Sequence, residues 1–309
     1  MITFLKNYPV GVAHTDQWES NCWINIERPT DRERQYLINQ FHVPVSFLND
    51  IEDIDERPRL EMEDGWQLII LRVPIHTPDD MLPYNTIPLG LIFKDDIIVS
   101  VCHYKTDMLP DFVLYTQRKN INYTNSYDLV LKLLLSASVW FLKYLKQANM
   151  KIKAAEKELE KSIRNEDLQT LLQIEKCLVF FITSLKGNDI LLYKIRNLRP
   201  HRDSYDPELL EDVEIELKQA QETTNIYSNI LSGMMDAYAS VISNNLNVIM
   251  KQLTSVSIIL MIPTLIASIY GMNVPNNLEN AQWGFFAIIA FSFGLSGAGV
   301  FLFKKKRWF

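Results

Sequence analysis

The chain has 309 residues, of which 48% are hydrophobic and 22% charged, with a net charge of −6. That balance is ordinary for a globular protein, but between Gln252 and Phe303 only Glu279 is charged. Both uncharged runs, 252–278 and 280–303, supply the about 20 apolar residues that cross a bilayer, so a wholly soluble protein is not expected.

The tail Lys304–Arg307 contributes +4 and Lys251 cancels Glu279, which leaves residues 1–250 at −10. An acidic region of this kind repels nucleic acid, which is not expected as a partner, and attracts cations. The opening MITFLKNYPV has no long apolar run, so no cleaved signal peptide is expected. Cys22, Cys102 and Cys177 are far apart and form no CxxC; they read as reduced core thiols in a cytosolic domain.

In chain order, Cys22–Glu27, Trp66–Val73, Thr86–Phe93 and Asp96–His103 are rich in β-branched and aromatic residues and bounded by turn formers, which predicts strands. The last two pair as a hairpin about Lys94-Asp95. Thr30-Asp31-Arg32-Glu33 is a capping-box pattern, with Tyr36, Leu37 and Phe41 as the apolar face of a helix ending before Pro44. A second short helix is expected at Pro44–Ile51. The predicted result is an α+β domain, a small mixed sheet with helices packed on it.

Beyond Thr124 the periodicity becomes helical. Ser126–Ile163 lacks Gly and Pro and ends in a Glu/Lys-rich segment that suits a solvated helix. Glu166–Leu198 predicts another helix, interrupted near Gly187. From Pro207 to Pro263 only Gly233 breaks the pattern, so a charged stalk helix runs into the first apolar stretch without a linker. Movement of the soluble part could pass directly into the membrane.

The expected organisation is an acidic cytoplasmic domain, 1–245, containing a stalk from about 207, then a transmembrane domain, 246–309. The latter divides into helix one at about 250–270, an outer loop at 271–283, helix two at about 284–303 and a basic tail at 304–309. The tail is basic and the loop has no Lys or Arg, which places both termini in the cytoplasm. Tyr270, Trp283 and Trp308 fit interfacial aromatic belts.

Helix one carries an unusual stripe. At the helical repeat, Asn247, Met250, Thr254, Ser257, Met261, Thr264 and Ser268 share a face about 100° wide, with Leu253 at its edge. Such a face either packs against another helix or lines a water-filled path. One hairpin cannot enclose a pore, so the second reading requires several copies about an axis.

Tyr270-Gly271-Met272-Asn273 follows helix one directly, and here the chain resembles the CorA family of magnesium channels, whose signature is GMN between two C-terminal membrane helices. The order of acidic domain, long helices, stalk, loop, second helix and basic end extends the resemblance over essentially the whole chain. Arg57-Pro58-Arg59-Leu60-Glu61 is similar to the family's RPK-type segment, and Ser232-Gly233-Met234-Met235-Asp236 to its SGLLD-like stretch. The loop departs from the MPEL-like pattern: Glu279 takes the acid's place, while Pro275 is displaced.

The resemblance implies a homopentamer in the plasma or inner membrane, in contact with lipid, that conducts Mg²⁺ and, to a lesser degree, Co²⁺ or Ni²⁺. It implies an entrance at Gly271, Met272, Asn273 and Glu279, and regulatory Mg²⁺ at Asp50 and Asp212. Mg²⁺ gives up its water reluctantly, so a ring of neutral Asn273 acceptors that holds the hydrated ion is chemically apt. Asn247 and Thr264 repeat the acceptor role, and Met250, Leu253 and Met261 are apolar rings suited to gating by dewetting.

Two alternatives stay open. A zinc transporter of the same architecture would more often vary the middle letter of GMN, so Met272 argues for magnesium. A membrane-anchored signalling protein would need a larger outward sensor than this loop. An enzyme is not expected: the sequence has no GxxxxGK[ST] or HExxH, and its five histidines lack ligand spacing.

Overall fold

The computed structural model describes residues 2–77, 81–161, 165–198, 206–272 and 283–306. The chain divides into two units, Met1–Gly233 and Met234–Phe309.

The first unit is built on a seven-stranded sheet. Its strands are β1 (Ile2–Tyr8), β2 (Gly11–Thr15), β3 (Cys22–Glu27), β4 (Arg59–Glu63), β5 (Trp66–His76), β6 (Tyr84–Lys94) and β7 (Ile97–Cys102), in the spatial order β2-β1-β3-β7-β6-β5-β4. Among the described residues only β3 and β7 pair in parallel, with Trp23 opposite Ile98; the other neighbours are antiparallel. Asp95 supplies the left-handed residue that turns β6 into β7. The four expected strands are present, and β1, β2 and β4 join them. These three are the polar ones: β4 reads RLEME and forms an edge, where charge discourages further pairing.

Helices α1 (Asp31–Phe41) and α2 (Val45–Glu52) cover one face. The capping box forms: the Thr30 hydroxyl accepts from the Glu33 N–H, and the Glu33 carboxylate accepts from the Thr30 N–H. Leu37, Phe41, Phe47, Leu48 and Ile51 then enclose a core with Leu68, Ile70, Ile92 and Val99. Gly90 sits under α2, where a Cβ would lie 2.2 Å from Ile51 Cδ1. The opposite face is met by α4 (Ser126–Lys161) and α5 (Asn165–Arg196), with α3 (Met108–Lys119) beside β2.

The break expected near Gly187 does not occur, because α5 runs unbroken from Asn165 to Arg196. A glycine costs a helix only about 1 kcal/mol, and here the missing side chain makes room for Pro58, whose Cγ would lie 2.7 Å from a Cβ. Helix α5 is long and apolar enough to cross a membrane. Its apolar face is nonetheless spent inside the domain, with Leu171, Ile174, Phe181, Leu185 and Leu191 buried.

Helix α6 (Pro207–Tyr270) is continuous for 64 residues and contains Pro263; α7 (Gly284–Lys305) follows. Both are long and apolar enough to span a bilayer.

Candidate functional site

The polar stripe lies on the side of α6 that α7 leaves uncovered. Helix α7 packs on Ile259 and Ile262: the Ser296 hydroxyl donates to the Ile259 carbonyl at 3.3 Å, and a Cβ on Gly299 would sit 3.7 Å from Ile262 Cδ1. At the helical repeat that face is roughly opposite the stripe. Asn247, Met250, Leu253, Thr254, Met261, Thr264 and Ser268 are exposed and Ser257 is half-buried. Packing of the stripe against helix two is therefore not what the hairpin does.

The stripe hydroxyls bond back to their own helix. Ser257 donates to the Leu253 carbonyl at 2.9 Å and Thr264 to the Leu260 carbonyl at 3.1 Å. A hydroxyl that gives its proton to the backbone keeps oxygen lone pairs available. These groups can then act as acceptors, the chemistry a cation or its water shell requires.

At the end of α6 the Gly271 N–H donates to the Ala267 carbonyl at 2.8 Å, and that of Met272 to the Ile269 carbonyl at 3.4 Å. Gly271 does not adopt a left-handed conformation. Its missing side chain instead relieves crowding, since a Cβ would lie 3.1 Å from the Ala267 oxygen. Met272 is exposed. Asn273 and Glu279 lie outside the described residues.

The two acids singled out for regulation occupy different surroundings. Asp50, on α2, binds Arg59 Nη2 at 2.6 Å, and the same guanidinium also holds Glu56 and, at 3.1 Å through Nε, Glu61. Burial raises the Asp50 carboxyl above its ordinary pKa, opposed by Arg59 and assisted by Glu56 and Glu61. Asp212 is exposed on α6. It rims a cleft of about 390 Å³ lined by Phe112, Tyr115, Trp140 and Leu209, in which Trp140 Nε1 donates to Asp111 at 3.1 Å.

Carboxylate oxygen is the right donor for Mg²⁺, yet among the described residues no group of three or more His, Cys, Asp or Glu could hold a metal ion. Asp50 and Asp212 thus fit Mg²⁺ only as parts of a site that further ligands would complete. The counter-ion role of Arg59 is not apparent from sequence. Its place in the Arg57–Glu61 segment was the available signal, but three carboxylates converging on one guanidinium is a feature of the fold.

Burial favours the neutral thiol at Cys102 and Cys177. The Cys102 thiol is pushed up to about 12, and burial raises that of Cys177 as well.

Comparison with known proteins agrees with this architecture. The family model of the CorA-like Mg²⁺ transporter protein matches residues 18–305. The cobalt/magnesium transport protein CorA of Methanocaldococcus jannaschii is 27% identical over 291 residues, covering 93% of this chain and 90% of that one. The protein of the same name from Thermotoga maritima is 26% identical over 301 residues, covering 93% and 83%. The complete structure of the CorA magnesium transporter from M. jannaschii superposes with a TM-score of 0.82 at 23% identity, covering 100% of this chain and 99% of that one. A mixed-sheet domain, a stalk helix and a C-terminal apolar pair that follow one family model almost from end to end identify the chain as a member of the CorA-like Mg²⁺ transporter family.

Proposed function

We propose that the chain assembles as a homopentameric channel for Mg²⁺, with Co²⁺ and Ni²⁺ as lesser permeants, in the plasma or inner membrane with both termini cytoplasmic. The observation that carries the reading is the stripe on α6, polar and uncovered by α7. A helix in lipid has reason to keep such a face only if neighbouring copies or water meet it.

In this reading five α6 helices surround the axis. A ring of Asn273 carbonyls with Gly271, Met272 and Glu279 receives the hydrated ion, because oxygen acceptors around an intact shell avoid the cost of stripping it. Thr264, Ser268, Ser257, Thr254 and Asn247 offer further oxygens, and Met261, Leu253 and Met250 are narrow apolar levels where water is lost when the path closes. Asp50 and Asp212, brought together from neighbouring copies, hold intracellular Mg²⁺ weakly and keep the soluble ring closed. When Mg²⁺ falls their mutual repulsion loosens it.

Reconstituted protein should take up Mg²⁺ in preference to Zn²⁺, and Asn273→Ala should abolish uptake while the oligomer persists by size. Unchanged uptake in that variant would remove Asn273 from the entrance, and preference for Zn²⁺ would replace the magnesium reading with the zinc one. Leu253→Ser should raise the basal leak. Asp50→Asn combined with Asp212→Asn should remove Mg²⁺ protection of the soluble domain against protease.

A further inference from the structure

Asp50 does not stand alone on its helix. It is tied through Arg59 to Glu56, and Glu56 belongs to a turn, 53–58, that the sheet and α5 grip from two sides. Arg72 of β5, only 7% exposed, reaches into the turn with its guanidinium, donating to the Ile54 carbonyl and, at 3.2 Å, to the Glu56 carbonyl. Its second nitrogen donates to the Thr86 carbonyl at 2.6 Å and the Thr86 hydroxyl at 2.9 Å, and that hydroxyl lies 2.7 Å from Ser184 of α5.

Helix α5 holds the same strand by its main chain. Strand β4 pairs with β5 only as far as Arg59 opposite Ile70. Two residues on, the fully buried Asn188 carboxamide accepts from the Arg72 N–H and donates to the Arg72 carbonyl, both at 2.8 Å. The preceding residue, Gly187, admits the Pro58 ring at the foot of the turn, where a Cβ would lie 2.7 Å from Cγ and 2.9 Å from Cδ. On its other side α5 meets the stalk: Gln221 donates to the Leu185 carbonyl at 3.1 Å, and Arg196 pairs with Glu214 at 2.7 Å.

We propose that the Gly187-Asn188 step of α5 is a joint that positions the acid-bearing turn 53–58, and with it the Arg59–Asp50 pair, relative to the stalk helix α6. Within one subunit this makes a contiguous mechanical link from Asp50 to α6, carried by a glycine that only close approach explains and an amide that stands in for a missing strand residue. A shift of α5 against β5 would move the turn, because Pro58 has no room to lag behind and the Arg72 guanidinium is anchored at both ends. The regulatory meaning rests on the reading of Asp50 given above; the joint itself does not.

The test uses the full chain in detergent, with two measurements: hydrogen exchange of the amides in 53–58, and the Mg²⁺ concentration giving half-protection from protease. Gly187→Ala, which forces Pro58 outward, should speed exchange in the turn about tenfold and shift the Mg²⁺ midpoint about threefold or more. Adding Pro58→Ala should reverse most of both changes. Ile174→Ala, a buried cut elsewhere in α5, should lower thermal stability and leave both readouts near the parent. If Gly187→Ala does not fold, Asn188→Ser, which deletes the paired amide bonds without adding bulk, takes its place.

Parent-like exchange in the joint variant, equal changes in Ile174→Ala, or no reversal on adding Pro58→Ala would each overturn the proposal. So would an unmoved midpoint in a protein whose Asp50→Asn variant does lose Mg²⁺ protection. If Asp50→Asn keeps full protection, it is the reading of Asp50 that fails, and the exchange measurement alone decides the joint.

Discussion

In Met1–Gly233 the fully enclosed side chains are large and mostly apolar, with Trp23, Phe47, Tyr84, Phe141 and Phe181 among them. In Met234–Phe309 the buried residues among those described include Ser255, Gly284, Ser292 and Ser296, while Phe285, Phe286, Phe291, Phe293 and Phe301 are exposed. The inversion follows from the solvent each part is built for. Water drives apolar groups together; lipid does not, so paired membrane helices meet through small and hydroxyl-bearing residues that permit close approach.

A charge on each outer surface breaks the comparison most sharply. Phe293 lies near the middle of α7 and is 69% exposed; Val10, in the β1–β2 turn, is 65% exposed. Phe293→Arg should cost about 3–4 kcal/mol of membrane insertion, the unfavourable arginine together with the lost phenylalanine, read as the inserted fraction in microsomal translation. Val10→Arg should change the unfolding free energy by no more than about 0.5 kcal/mol. Equal insertion of the Phe293 variant and parent would mean that α7 does not face lipid there.

Interior packing gives the next effect. Gly90→Ala places a methyl group on Ile51 of α2 and should destabilise the sheet domain by about 1–3 kcal/mol in denaturant unfolding. Combining it with Ile51→Ala should cost less than the two changes added together, by about 1 kcal/mol, because the cavity of one accepts the bulk of the other. Strict additivity would show that α2 is free to move away.

What the sequence reveals and conceals divides along physical lines. Local chemistry is legible: the Thr30–Glu33 box, the β-branched runs of β3 and β5–β7, and the uncharged stretches of α6 and α7 each announce themselves within a few residues. Strands β1, β2 and β4 do not, since edge and near-edge strands carry the polar residues that also mark loops. Gly187 misleads because a glycine that breaks a helix and one that admits a neighbour look alike until Pro58, far away in sequence, is seen against it. The stripe on α6 is readable as a face, but the sequence does not say which face α7 takes. Arg59 shows the same limit, since its partners Asp50, Glu56 and Glu61 are near in sequence and only the turn makes them converge.

Thr30→Ala should cost about 1 kcal/mol of domain stability, the usual worth of a side-chain cap, read as a lowered Tm. A loss within error would mean that the Glu33 carboxylate, which also accepts from the Ile2 N–H at 2.8 Å, holds the helix start alone.

The smallest expected effect is also the one most specific to lipid. Pro263 has no N–H to offer the Ile259 carbonyl one turn earlier, so within α6 that oxygen loses its helical partner. The Ser296 hydroxyl of α7 donates to it at 3.3 Å. An unpaired carbonyl in hydrocarbon is costly, and a hydroxyl from the next helix is a known way to satisfy one. Ser296→Ala should therefore weaken the hairpin by about 0.6 kcal/mol, the usual size of such a bond in a membrane, measured by unfolding in mixed micelles. In a Pro263→Ala background the N–H returns, the Ile259 carbonyl is satisfied by its own helix, and Ser296→Ala should cost close to nothing. If Ser296→Ala cost the same with and without the proline, the serine would be acting through its small size rather than its proton.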